Sequence, residues 1–110
     1  MAAQFEIKKS KNGQFYFNLK AANGETVLTS EQYTSKAGAK NGIASVKSNA
    51  GKDSRYESKI AKNGKHFFVL KAGNHQVIGV SETYNSEAAC GKGMAAVKKA
   101  AGIAAISDES

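Results

Sequence analysis

The chain is one unit of about 51 residues written twice. Displaced on itself by that amount, the sequence aligns residues 5–51 with 56–102 without a gap, and roughly 21 of 47 positions are identical. Lys11-Asn12-Gly13 falls on Lys62-Asn63-Gly64. Phe17, Leu19, Lys20 and Ala21 fall on Phe68, Leu70, Lys71 and Ala72. A unit of about 50 residues buries too little surface to be secure alone, so the copies are expected to pack as one domain. The expected halves are residues 3–51 and 54–104, with 105–110 left as a disordered tail. A pseudo-two-fold axis should relate them, as in a homodimer, giving a monomer with internal symmetry.

Each copy parses alike. A first strand is expected at residues 5–9 and 56–61. Asn-Gly follows at 12–13 and 63–64, a hairpin signal whose commonest turn puts both central residues at positive φ. The second strand, 14–21 and 65–72, alternates: Phe15, Phe17 and Leu19 point one way, Tyr16, Asn18 and Lys20 the other. A second turn holds Asn23-Gly24, matched by Asn74-His75, and a third strand covers 25–30 and 76–81. There Val27 and Ile78 compete with Leu28 and Val77 for the core. Helices are expected at 35–49 and 86–104, N-capped by Ser35 and Ser86. Ala39, Ile43, Val46 and Ala50 recur at helical spacing, as do Cys90, Met94, Val97 and Ala101. Gly42 and Gly93 lie inside these helices, where glycine costs about 1 kcal/mol relative to alanine. The same cost at the same place twice points to a packing reason. The fold class is therefore α+β: a tandem β-β-β-α unit, six antiparallel strands with two helices on one face.

The strings Asn12–Glu25, Ser30–Lys36 and Asn41–Lys47 resemble the YegP-like family of small bacterial proteins. The second copy carries the resemblance through Asn63-Gly64, Leu70-Lys71-Ala72, Ser81-Glu82-Thr83-Tyr84 and Met94–Lys98. The resemblance implies three strands and a helix per unit, in members with one unit that pairs or two in tandem. It implies no activity. His75 departs from it, since the family pattern favours glycine there, and this bears on the turn rather than the fold.

The net charge of +7 is not a basic patch. Each copy carries seven lysines and three glutamates, roughly +4, and Arg55 is the only arginine. Bidentate recognition of phosphate or bases favours arginine, so the charge argues for solubility and weak anion attraction. No apolar run approaches the roughly 20 residues of a membrane span. A single cysteine and no visible secretory signal place the chain in the cytoplasm, and no membrane role is expected.

Catalytic chemistry has little to stand on. His66, His75 and Cys90 occur in one copy only, and no cluster has metal-ligand spacing, so neither metal nor cofactor is expected. Cys90 sits on the apolar helix stripe, as a small hydrophobe would. Two features recur in both copies. One is the polar motif Ser30, Glu31, Tyr33 and Ser81, Glu82, Tyr84, which reads as a strand exit, a tyrosine over the helix start and an N-cap. Its alternative is a pair of sites in which Glu31 and Glu82 bind a cation or polar ligand. The other is the sheet face away from the helices, with Tyr16, Asn18 and Lys20 in one copy and Phe67, Val69 and Lys71 in the other. These readings make the chain a non-catalytic binding or interaction module whose partner the sequence does not name, a protein being one candidate. Aromatics among lysines on an open sheet also suit single-stranded nucleic acid, the alternative, while an enzyme is disfavoured.

Overall fold

The structure, a computed structural model, describes residues 3–110. In chain order it contains β1 (Gln4–Lys9), β2 (Phe15–Lys20), β3 (Thr26–Ser30), α1 (Lys36–Asn49), a 3-10 turn (Asp53–Arg55), β4 (Tyr56–Ile60), β5 (His66–Lys71), β6 (Val77–Val80), α2 (Glu87–Ile103) and β7 (Ala105–Asp108). One sheet holds all the strands, in the order β4-β5-β6-β3-β2-β1-β7. The halves join where β3 pairs antiparallel with β6, Thr29 opposite Val80. These residues are repeat counterparts, so the pseudo-two-fold axis passes between them.

The hairpin loops use glycine in a different turn from the expected one. Only Gly13 (φ 82°) and Gly64 (φ 83°) reach positive φ there; their asparagines do not. Ser10 N–H donates to the Gln14 carbonyl (2.8 Å) and Gly13 N–H to the Ser10 carbonyl (3.0 Å), a tight turn closed by a left-handed residue. The Asn12 side chain instead accepts from the Gln14 amide at 3.0 Å, which holds the loop from outside. The second turn is the same in both halves. Ala21 and Ala72 donate to Glu25 and Gln76, each at 2.9 Å. His75 takes the left-handed conformation (φ 70°) that its counterpart Gly24 takes at 86°.

Both helices cover one sheet face. Phe5, Ile7, Phe17, Leu19, Leu28, Phe68 and Leu70 meet Ile43, Val46 and Val97 in one cluster, all nearly inaccessible. Of the four residues that compete at the third strand, three reach the core. Leu19 pairs with Leu28 but Lys20 with Thr26, so Val27 is an extra residue, and Ile78 is its counterpart in β6. A bulge lets consecutive residues face the same side. Val27, Leu28 and Ile78 all join the core, while Val77 stays half-exposed. Ser35 and Ser86 cap their helices, accepting from Gly38 N–H (3.0 Å) and Ala89 N–H (3.1 Å).

The tail corrects the expectation of disorder at 105–110. Ala105–Asp108 forms a seventh strand, parallel to β1, with Ile106 opposite Phe5 and Asp108 opposite Ile7. Glu109 N–H donates to the Ile7 carbonyl at 2.8 Å, and Asp108 pairs with Lys36 at 2.8 Å. The cause lies in the edge it meets: β1 would otherwise present a row of unpaired backbone groups.

Candidate functional site

The sheet face away from the helices carries a row of side chains across six strands: Glu6, Asn18, Thr29, Val80, Val69 and Glu57. The row is symmetric in position and asymmetric in chemistry. A glutamate stands on the first strand of each half, with Ser107 of β7 beyond Glu6. The first half is polar inside, where the Thr29 hydroxyl donates to Asn18 Oδ1 at 2.9 Å. The second half puts Val69 and Val80 in the matching places. Tyr16 and Phe67, counterparts of each other, are half-exposed on this face, as are Asn18, Lys20 and Lys71.

Val69 is a correction within that set. It is only 4% exposed, and among the described residues it is the one buried hydrophobe outside the core cluster. No second layer buries it; its neighbours on the open face do. What this face presents to solvent is therefore the aromatic and lysine side chains around it.

The lysines of this face are engaged. Glu6 is 6% exposed and lies 3.2 Å from Lys20 Nζ and 3.5 Å from Lys8 Nζ, while Gln4 donates to its other oxygen at 2.6 Å. Burial pushes the Glu6 carboxyl up, but Lys20, Gln4 and Lys8 outweigh it and hold the group below its ordinary value. Glu57 has the same partners by symmetry, Lys71 and Lys59, and the Lys71 contact holds it below its ordinary value. Glu57 stays open to solvent because β4 is an edge, whereas β7 lies beside β1.

The repeated polar motif is tied into the backbone. Ser30 Oγ accepts from Phe17 N–H (2.9 Å) and donates to the Glu31 carbonyl (2.8 Å); Ser81 does the same with Phe68 and Glu82. Tyr33 exchanges two backbone hydrogen bonds with Phe15, each 2.7 Å, and stacks on Phe17 with ring centroids 6.3 Å apart. Tyr84 stacks on Phe68 at 6.5 Å. Burial pushes both phenols up. Glu31 and Glu82 are exposed.

Two cavities among the described residues bear on a site. One of about 250 Å³ is lined by alanines of the β2–β3 turn and of α2, with Lys99 and Ile103 at its rim. The other, about 220 Å³, opens at the outer edge of β4 between Ser58, Lys59, Ile60, His66, Glu87 and Cys90; Lys59 pairs with Glu57. Sequence reasoning missed this second cavity, because its walls come from segments about 30 residues apart that only the β4–β5 pairing and α2 bring together. It gathers a histidine, a carboxylate and a thiol, but no hydrogen bond links any two of them. Burial, then Glu87, pushes the Cys90 thiol up, the wrong direction for a nucleophile. Among the described residues no three His, Cys, Asp or Glu side chains could share a metal ion, and no helix is long and apolar enough to cross a membrane.

Comparison with known proteins fits this geometry. A family described as "Domain of unknown function (DUF1508)" matches twice, over residues 10–57 and 61–108. Both matches begin before a hairpin's inner strand and end on the strand after the helix, so β7 is the sequence counterpart of the start of β4. The chain is 60% identical to the UPF0339 protein YegP of Yersinia pestis over 86% of this chain and 85% of that one. A UPF0339 protein of Pseudomonas aeruginosa is 54% identical over the full length of both. The solution NMR structure of yegP from E. coli, a protein of unknown function, superposes with a TM-score of 0.93 at 51% identity, covering 99% of this chain and 94% of that one. Another, of a UPF0339 protein from Shewanella oneidensis, gives 0.90 at 49% identity, covering 98% and 92%. None of these names assigns an activity. With two matched repeats, a duplicated sheet and these relatives, the chain belongs to the DUF1508 family, as a tandem member of its YegP-like bacterial proteins.

Proposed function

We propose that the protein is a small, non-catalytic binding module of the cytoplasm that meets a protein partner through the open face of its sheet. The observation that carries this reading is the exposure of Tyr16 and Phe67 at symmetry-related places on a face no helix covers. Aromatic side chains are the usual anchors of protein interfaces, with large area and few torsions to order. The repeated polar motif serves the fold, since each Ser and Tyr has a backbone or ring partner. Catalysis lacks a poised nucleophile and a paired base.

Single-stranded nucleic acid is the competing occupant. The pairing of Lys8 and Lys20 with Glu6, and of Lys59 and Lys71 with Glu57, argues against it. A phosphate would have to displace a carboxylate at each lysine.

Quantitative affinity capture separates these readings. Wild type and the Tyr16→Glu/Phe67→Glu variant serve as baits, beside an amide-shift titration with a short single strand. The expected result is a protein retained by wild type and lost from the variant, with no saturable shifts from the oligonucleotide. Equal capture by both baits, or saturable shifts along β2 and β5 that weaken with salt, would overturn the proposal.

A further inference from the structure

The two ends of the sheet are counterparts, and only one is finished. Outside β1 lies β7, parallel to it, with Asp108 opposite Ile7 and paired to Lys36 at the start of α1. Outside β4, among the described residues, lies no strand. The cavity of about 220 Å³ stands there, where the other half holds Asp108. The side chains around it have changed accordingly: Glu87 stands for Lys36, Ser58 for Ile7 and Ile60 for Lys9.

We propose that the outer edge of β4 receives an extended segment of a partner protein as an eighth strand, parallel to β4. Its basic residue lies opposite Ser58 and reaches Glu87, and its next inward residue, two positions on, is apolar and covers Ile60. The surface is the sheet edge, separate from the open face proposed above.

Three observations define this occupant. The internal precedent sets its direction and register, because β7 already docks on the equivalent edge in this manner. Charge sets the basic residue. The slot that holds aspartate against Lys36 has become a slot facing Glu87, which makes no ion pair among the described residues. A carboxylate in the first turn of α2 also suits that helix's free amides, so Glu87 alone would say little. Ile60 has no such local use. It is 68% exposed on an edge strand, where chains ordinarily place charged side chains, and the matching place in β1 holds Lys9. Main-chain hydrogen bonds along the edge give affinity in such strand addition, and alternate side chains give specificity. A second copy of this chain is a poor occupant, since its own β7 would bring Asp108 onto Glu87.

The test uses the full chain, labelled with nitrogen-15, and two synthetic peptides. One is acetyl-Ala-Ile-Ser-Lys-Glu-Ile-amide, the β7 sequence with lysine at the Asp108 position and isoleucine at that of Ser110. The other carries aspartate in place of the lysine. The lysine peptide, at millimolar concentration, is expected to shift the amides of Tyr56–Ile60 and of the first turn of α2 saturably, and to bind roughly five-fold more tightly than the aspartate peptide. Glu87→Lys should reverse that preference, in a fold that tolerates lysine at the matching place in α1. Lys40→Ala, on the exposed side of α1, should leave it unchanged. Absence of saturable β4 shifts, or a preference that Glu87→Lys does not reverse, would overturn the proposal. So would β4 amides that broaden with protein concentration before peptide is added, since the edge would then meet another copy.

Discussion

The ring of Tyr33 lies on the bare backbone of Gly42: a Cβ at Gly42 would stand 2.7 Å from Tyr33 Cζ. Tyr84 and Gly93 repeat the contact at the same 2.7 Å. The glycine lets each helix descend onto a tyrosine that is itself stacked on the central phenylalanine of its hairpin. This is the packing reason for a mid-helix glycine in both copies.

Gly42→Ala is therefore expected to destabilise the fold by about 1–3 kcal/mol, although alanine is the better helix former. Urea unfolding measures it as a lower midpoint. Adding Tyr33→Leu should recover part of the loss, because the clash disappears with the ring. Unchanged or raised stability in the single variant would mean that the helix does not need this approach.

His75→Gly should have the opposite effect. A side chain in the left-handed region carries a penalty of about 1–2 kcal/mol, and glycine's extra freedom in the unfolded chain returns part of that. The expected net gain is about 0.5–1 kcal/mol, read as a higher urea midpoint. A lower midpoint would show that the imidazole makes a contact worth more than the strain.

Glu6 gives the fold an acid-sensitive contact. Its folded value lies below the ordinary 4.5, so its contribution is complete above that pH and is lost as pH falls through the lowered folded value. Against wild type, Glu6→Gln should be less stable at pH 7, with the difference narrowing below about pH 4.5. Denaturant titrations from pH 7 to 3 measure the gap. A gap independent of pH would mean that the Lys8 and Lys20 pairs add nothing.

Much of this was legible in the residues. The repeat, the alternation in β2 and the serine caps follow from side-chain period and local hydrogen bonding, which act within a few residues. Strand three was not readable by alternation because a bulge suspends the period of two at Val27 and Ile78. The tail was unreadable for a different reason. Ala-Ile-Ser-Asp has little strand character of its own, and it pairs because α2 delivers it to the free edge of β1. On the open face, Tyr16, Asn18, Lys20, Phe67 and Lys71 lie as the alternation in β2 requires, while the burial of Val69 depends on neighbours from three strands.

Truncation after Ala104 tests the role of that tail. It should leave the chain folded and speed amide exchange by about ten-fold or more at the β1 positions that face β7, with β4 unaffected. Unchanged β1 exchange would mean that the seventh strand adds no protection.

In-cell photo-crosslinking puts the binding account to its most direct test, with benzoylphenylalanine replacing Phe67 on the open face or Lys92 on the exposed side of α2. The account predicts a discrete protein adduct from position 67 and none from position 92. No adduct at 67, or equal adducts at both positions, would contradict it.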